Sequence, residues 1–258
     1  MNDVELAKFA LLNDPKTNKG TAFTEEERHS LGLQGLLPSS IETLDRQIER
    51  VLGHLAAKPS DLEQFIYLQQ LCDRNETLFY AVLMSDPARF VPIVYDPTIA
   101  DACLTYGDIY RKPQGMYLTR LMKGRFAEVL AHRPLKDIRF ICLTSGGRIL
   151  GLGDIGANGA PIAVGKLQLY TACAAVPPDV LLPIHLDIGT TNAALRADPL
   201  YTGLRDEPPS PQEIDAIVDE FMEAANEIFP GVCVHFEDWK GADAIRLLAL
   251  QGQMPRLQ

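Results

Sequence analysis

Glu237 and Asp238 stand side by side directly after the apolar run VCVHF. Adjacent carboxylates at a strand end offer hard oxygen donors to a divalent cation such as Mg²⁺ or Mn²⁺, although such a pair is more commonly just hydrated in a loop. Lys166 lies among apolar residues in IAVGKLQLY, near an expected helix start. An amine held away from water can lose its proton and act as a base. A lysine whose stem lies along the surface keeps its head in water instead. Tyr95, in VPIVYDPT, follows four apolar residues and precedes a turn. A phenol there can donate a proton, or it can be a core ring with a satisfied hydroxyl. Arg148 follows two glycines in SGGRILGLGDIG. A guanidinium grips a carboxylate through two parallel hydrogen bonds, and glycines let a backbone come close. GLGDIG is set aside as a dinucleotide-binding turn. His185 and His235 sit inside apolar runs and are read as core or edge residues.

The elements that must position these groups change character along the chain. The first third reads as helical. Thr24 followed by Glu25, Glu26 and Glu27 is a helix start, with acids where the helix dipole favours them. A restart at Ser39 or Ser40 is expected, leading into apolar residues at helical spacing from Ile41 to Leu55. DLEQFIYLQQLCDRNETLFYAVLM reads as a third amphipathic run. Then FVPIVYD, IRFICLTS, VLLPIHLDIG and GVCVHFED read as short buried strands, separated by helical segments such as PIAVGKLQLYTACAAV and PQEIDAIVDEFMEAANEIF. The expectation is an α/β chain: a helical N-terminal region over 1–88, then a small parallel sheet flanked by helices over 89–258. Chemistry in such sheets collects at the carboxyl ends of the strands, where Tyr95, Arg148, Asp187, Glu237 and Asp238 are expected.

Composition narrows the classes. The chain has 258 residues and a formal charge of −10, with 47% hydrophobic and 22% charged residues. These are globular proportions, and the acidity with no Lys/Arg stripe argues against a nucleic-acid partner. Five scattered cysteines, none in a C-x-x-C pair, fit reduced thiols and offer no zinc or disulfide framework. The start MNDVELAKFALLND is not read as a signal peptide, and no apolar run nears the ~20 residues of a membrane span. A cytoplasmic protein is expected.

Taken in order, FTEEERHSLGLQGLLP, DRNETLFY, VPIVYDPTIADACLTYGDIYRKPQGMYLT, GGRILGLGDIGANGAPIAVGKLQLYTACA, LPIHLDIGTTN, DPLYTGLR and VHFEDWKGADAIRLL resemble the N-terminal, substrate-side half of malic enzymes, from about Asn18 to about Leu248. The resemblance implies roles. Tyr95 matches the family's proton-donating tyrosine, with Asp96 where the family usually has Thr. Arg148 matches the arginine that binds the substrate carboxylate, and Lys166 the lysine that acts as base. Glu237 and Asp238 match two of three carboxylate ligands of Mg²⁺ or Mn²⁺. The third lies in an F-N-D-D-I-Q-G-T-A segment of the family, where this chain reads ALQGQMPRLQ. Ala81 stands where relatives often place an arginine of an allosteric acid site, Arg50 weakly matches another, and SGG replaces an acid-Gly-acid pattern. The resemblance stops before the dinucleotide-binding half, so NAD(P) is expected only if a second domain or partner supplies its site.

Two classes of function follow. The first is a malic-enzyme-like protein acting on a C4 dicarboxylic acid, malate or oxaloacetate, with a divalent metal and in a homodimer. Oxidative decarboxylation belongs to the full family, and this chain would run at most decarboxylation or enol tautomerisation. The second is a catalytically silent ligand-binding or oligomerisation module derived from malic enzyme.

Overall fold

A computed structural model describes residues 9–133, 137–149 and 151–251. The chain divides into two compact units, Met1–Thr98 and Ile99–Gln258. The end of the tail on which the third-ligand comparison rests, from Gly252, lies outside the described residues, as does most of the segment read as lacking a signal peptide.

The first unit is helical. Helix α1 (Glu25–Ser30) opens with a capping box, in which Thr24 accepts from the Glu27 amide and the Glu27 side chain accepts from the Thr24 amide. Two orphan amides are satisfied at once. Helix α2 (Leu44–Ala56) starts later than expected, behind Thr43, whose hydroxyl accepts from Arg46 N. Glu42 is thereby left in the extended lead-in, where it pairs with Arg50. The long run after Ser60 is not one helix but two, α3 (Asp61–Cys72) and α4 (Glu76–Ser85). Asn75 makes the break: its carboxamide oxygen accepts from Leu78 N at 2.9 Å, competing with continued helix as Asn does.

The segment FVPIVYD is also helical rather than a strand. Helix α5 (Pro87–Val94) is capped by Asp86, with Pro87 in the first turn, and buries Phe90, Ile93 and Val94. That burial has helical spacing, and a short apolar run does not by itself distinguish a strand from a buried helix. Tyr95 therefore caps a helix and does not end a strand.

The second unit contains helices α6 (Thr98–Leu104), α7 (Tyr106–Ile109), α8 (Phe126–Ala131), α9 (Ala160–Ala174), α10 (Ala193–Ala197), α11 (Pro211–Ile228) and α12 (Gly241–Gln251). Among the described residues its four strands are β1 (Met116–Thr119), β2 (Phe140–Thr144), β3 (Leu181–Asp187) and β4 (Cys233–Glu237). They form one sheet in the order β1-β3-β2-β4, with every neighbouring pair parallel. The α/β class with a small helix-flanked parallel sheet is the one expected. The four-residue strand β1 has no counterpart in that expectation, being too short to show alternation.

Period-two alternation sorts the side chains onto two faces. Ile141, Leu143, Leu182, Ile184 and Leu186 face a core with Phe126, Leu130, Ile217 and Phe221 from α8 and α11. Cys142 and Leu181 face the other way, against Ala163 and Leu167 of α9. The register pairs Thr144 with both His185 and Glu237, so the strands end together. The same alternation brings Thr144, His185, Asp187, His235 and Glu237 onto the α9 side at the carboxyl end of the sheet.

Phe221 is fully buried and meets Phe126 edge-on, with ring centroids 6.3 Å apart. We expect Phe221→Ala to cost about 3–5 kcal/mol, seen as an earlier urea midpoint by circular dichroism; an unchanged midpoint would mean that α11 does not clamp this face.

Candidate functional site

Lys166 sits in the second turn of α9, on the face turned to the sheet. Its amine lies 2.8 Å from Glu237 Oε1, and both side chains are mostly covered. His235, two residues before Glu237 and on the same strand face, places Nε2 2.5 Å from the other oxygen, Oε2. Burial raises the affinity of Glu237 for a proton, but the hydrogen bonds from Lys166 and His235 outweigh it and hold its carboxyl below the usual range.

Asp238 has the opposite electrostatics. Burial first, and the neighbouring Glu237 second, push its carboxyl up to about 6, with Lys166 opposing. Its backbone is left-handed, at φ 52°, a conformation that aspartate tolerates better than most residues. The turn is fixed from two sides: Arg148 N donates to Asp238 O at 3.2 Å, and the buried Trp239 indole donates to Leu143 O at 3.0 Å. Trp239 thus ties the acid pair to the end of β2. The sequence carried a signal for it, since the chain's only tryptophan follows the pair.

The loop bearing Arg148 is packed closely. A Cβ on Gly146 (φ +64) would lie 2.0 Å from Gly156 O, so a side chain there would push this loop off the α9 lead-in. Gly151, Gly153 and Gly156 do have the G-x-G-x-x-G spacing. Their context, however, differs from a dinucleotide turn, because an isolated bridge between Ile149 and Gly153 and a 3₁₀ turn at Gly156–Gly159 separate β2 from α9. Asp154 organises the same region. Its Oδ1 accepts from Thr190 Oγ1 at 2.7 Å and Gly156 N at 3.1 Å. Its Oδ2 accepts from Thr191 N at 2.7 Å and Thr191 Oγ1 at 2.6 Å. Asp187, at the end of β3, is held by Gly189 N at 2.8 Å and Leu204 N at 2.6 Å. Both oxygens of each acid are committed to loop amides and hydroxyls, a positioning task that strand ends alone did not reveal.

The structure thus gathers Lys166, Glu237 and His235, places Asp238 beside them, and joins Arg148 to Asp238 through the backbone. The exposed Arg148 side chain lines a cleft of about 610 Å³. Tyr95 belongs to the first unit, half-buried at the end of α5. Burial pushes the Cys103 and Cys142 thiols far up, which leaves both unreactive as nucleophiles.

Glu237 and Asp238 suit a hard divalent cation in kind. Their oxygen donors match Mg²⁺ or Mn²⁺. Glu237 already shares its two oxygens with Lys166 and His235, so a cation there would displace one of those contacts, while Asp238, which resists ionisation, would gain a counter-charge. Among the described residues, no group of three His, Cys, Asp or Glu side chains gathers to complete a set. No helix among the described residues is long and apolar enough to cross a membrane.

The family to which the chain belongs is shown by comparison with known proteins. Residues 72–250 match the family model "Malic enzyme, N-terminal domain". This chain belongs to the malic enzyme family. Across 241 residues, 93% of this chain, it is 47% identical to the NADP-dependent malic enzyme of Mus musculus and 48% identical to that of Anas platyrhynchos, covering 42% and 43% of those proteins. It is 45% identical over the same length to the mitochondrial NADP-dependent malic enzyme of Homo sapiens, covering 40% of it. The chain therefore spans well under half the length of these relatives.

The Asp238 shift has a sign. Its folded pKa lies above the unfolded value, so the native state binds more protons between pH ~4 and ~6 and loses stability as pH rises through that window. In EDTA at pH 7.5, Asp238→Asn should be the more stable protein, by about 1 kcal/mol after discounting for solvent screening of a half-exposed group. The difference should vanish near pH 4. Chemical denaturation at both pH values checks it, and a less stable variant at pH 7.5 would contradict the electrostatic account.

Proposed function

We propose that this chain is the substrate- and metal-binding part of a malic-enzyme activity, acting on a C4 dicarboxylic acid such as malate or oxaloacetate. The observation that carries the reading is the contact between Lys166 and Glu237 at the carboxyl end of the sheet, with Asp238 adjoining it. Arg148 would hold a substrate carboxylate through paired hydrogen bonds. Lys166, once its proton is lost, would serve as base toward the C2 hydroxyl, and Tyr95 would return a proton to the enol carbon. Glu237 and Asp238 would hold Mg²⁺ or Mn²⁺, with water and substrate oxygens completing the set. When bound, such an ion polarises the C2 oxygen and stabilises the charge left as CO₂ departs.

These groups supply proton transfer and charge stabilisation. Hydride acceptance, which oxidative decarboxylation of malate also requires, calls for NAD(P) held by other residues. Without it, the same groups can decarboxylate a β-keto acid, where protonated Lys166 would donate to the C2 oxygen as CO₂ leaves and take that proton back as Tyr95 protonates the enol carbon. While Lys166 is bonded to the carboxylate it is protonated, so the pair must separate before the amine can act as a base. That occupied carboxylate also favours a second reading, in which the chain is a silent ligand-binding or oligomerisation module.

The two readings part in one assay. With oxaloacetate and Mn²⁺, we expect pyruvate above the metal-only rate, and Lys166→Ala should lower that excess by about 10²-fold or more. A rate equal to metal alone, or one unmoved by Lys166→Ala, would put the silent module first.

A further inference from the structure

The cleft beside Arg148 is lined by Ser145, Arg148, Asp154, Glu207, Lys240 and Asp243 among others. Its charges are not equivalent. Asp243 is taken up by Arg246 at 2.7 Å, and Glu207 by Arg196 at 3.1 Å. Asp154 directs both oxygens at Thr190, Thr191 and Gly156. Arg148 and Lys240, by contrast, have no side-chain partner among the described residues, and both are exposed to the cleft.

Their proximity is built into the backbone. A Cβ on Gly147 would lie 3.6 Å from Lys240 N, so the segment before Arg148 runs against the segment that carries Lys240. Lys240 also immediately precedes the eleven-residue helix α12, whose amino end adds positive potential on the same side. Two cations with no side-chain partner among the described residues, and a helix amino end, beside one cavity match a small ligand with two separated negative groups.

We propose that Lys240 is a specificity-determining residue that binds the second carboxylate of the dicarboxylate whose first carboxylate Arg148 holds. This rests on the reading of Arg148 given above. It makes the preference for a diacid over a monoacid a property of this unit's own residues. Lysine acts here as a mobile point charge, so distance to the second carboxylate matters more than planar geometry.

The test is calorimetric titration of the full chain with L-malate and with L-lactate, in EDTA so that no divalent cation contributes. Wild type should bind malate the tighter. Lys240→Ala should weaken malate by about tenfold, a charged hydrogen bond's share, and leave lactate within about twofold. Lys240→Arg should restore the preference, which separates charge from a merely structural effect, and Arg148→Ala should weaken both ligands. If Lys240→Ala keeps the wild-type malate-to-lactate ratio, the proposal is wrong while the Arg148 reading stands. If Arg148→Ala changes neither ligand, the Arg148 reading fails and takes the proposal with it.

Discussion

The contact around which the carboxyl end of the second unit's sheet is arranged is the one between the Lys166 amine and the Glu237 carboxylate at 2.8 Å. It joins a helix and a strand far apart in sequence, and it exists only because a parallel sheet sends both to the same end. The β2–α9–β3 crossover lays α9 against one face, and alternation along β4 turns Cys233, His235 and Glu237 toward that face. A one-residue slip of β4 would point Glu237 into the apolar core and bring Phe236 to the amine. The apolar packing of Val234 and Phe236 against the opposite core therefore sets the ionic contact as well as stability.

The electrostatics of the acid pair follow from who arrives first. Glu237 is met on both oxygens and ionises readily, while Asp238, next along the chain, is half-buried beside that established charge and resists. Two adjacent carboxylates thereby acquire different proton affinities from their surroundings alone. The arrangement costs native stability near neutral pH, as is common where a site must receive positive charge.

Much of this was legible in the sequence, and the misses have physical causes. Strands β2, β3 and β4 announced themselves as short apolar runs ending in polar turns, and α9 and α11 as the helices between them. The FVPIVYD run reads as a strand because its apolar residues are continuous, yet it folds as a helix. Only Asp86 as cap and Pro87 in the first turn reveal a helix. The break at Asn75 hid inside an amphipathic run for a similar reason, since the capping oxygen rather than the periodicity decides it. The part Asp154 plays could not be read locally, since it binds Thr190, 36 residues on, and although the single tryptophan flags itself beside the acid pair, its reach to Leu143, 96 residues back, does not. Residue type and neighbourhood pointed to the lysine and the acid pair, whereas their supports are properties of the folded chain.

The indole that anchors the acid pair also gives the molecule an optical probe. Trp239 is the single tryptophan, buried one position beyond Asp238 and stacked edge-on with Phe236 at 5.7 Å. Its emission reports on the turn after β4 and on the apolar core into which that turn packs. A cation settling on the two carboxylates would perturb that turn directly, so its binding would be readable by light in unlabelled protein.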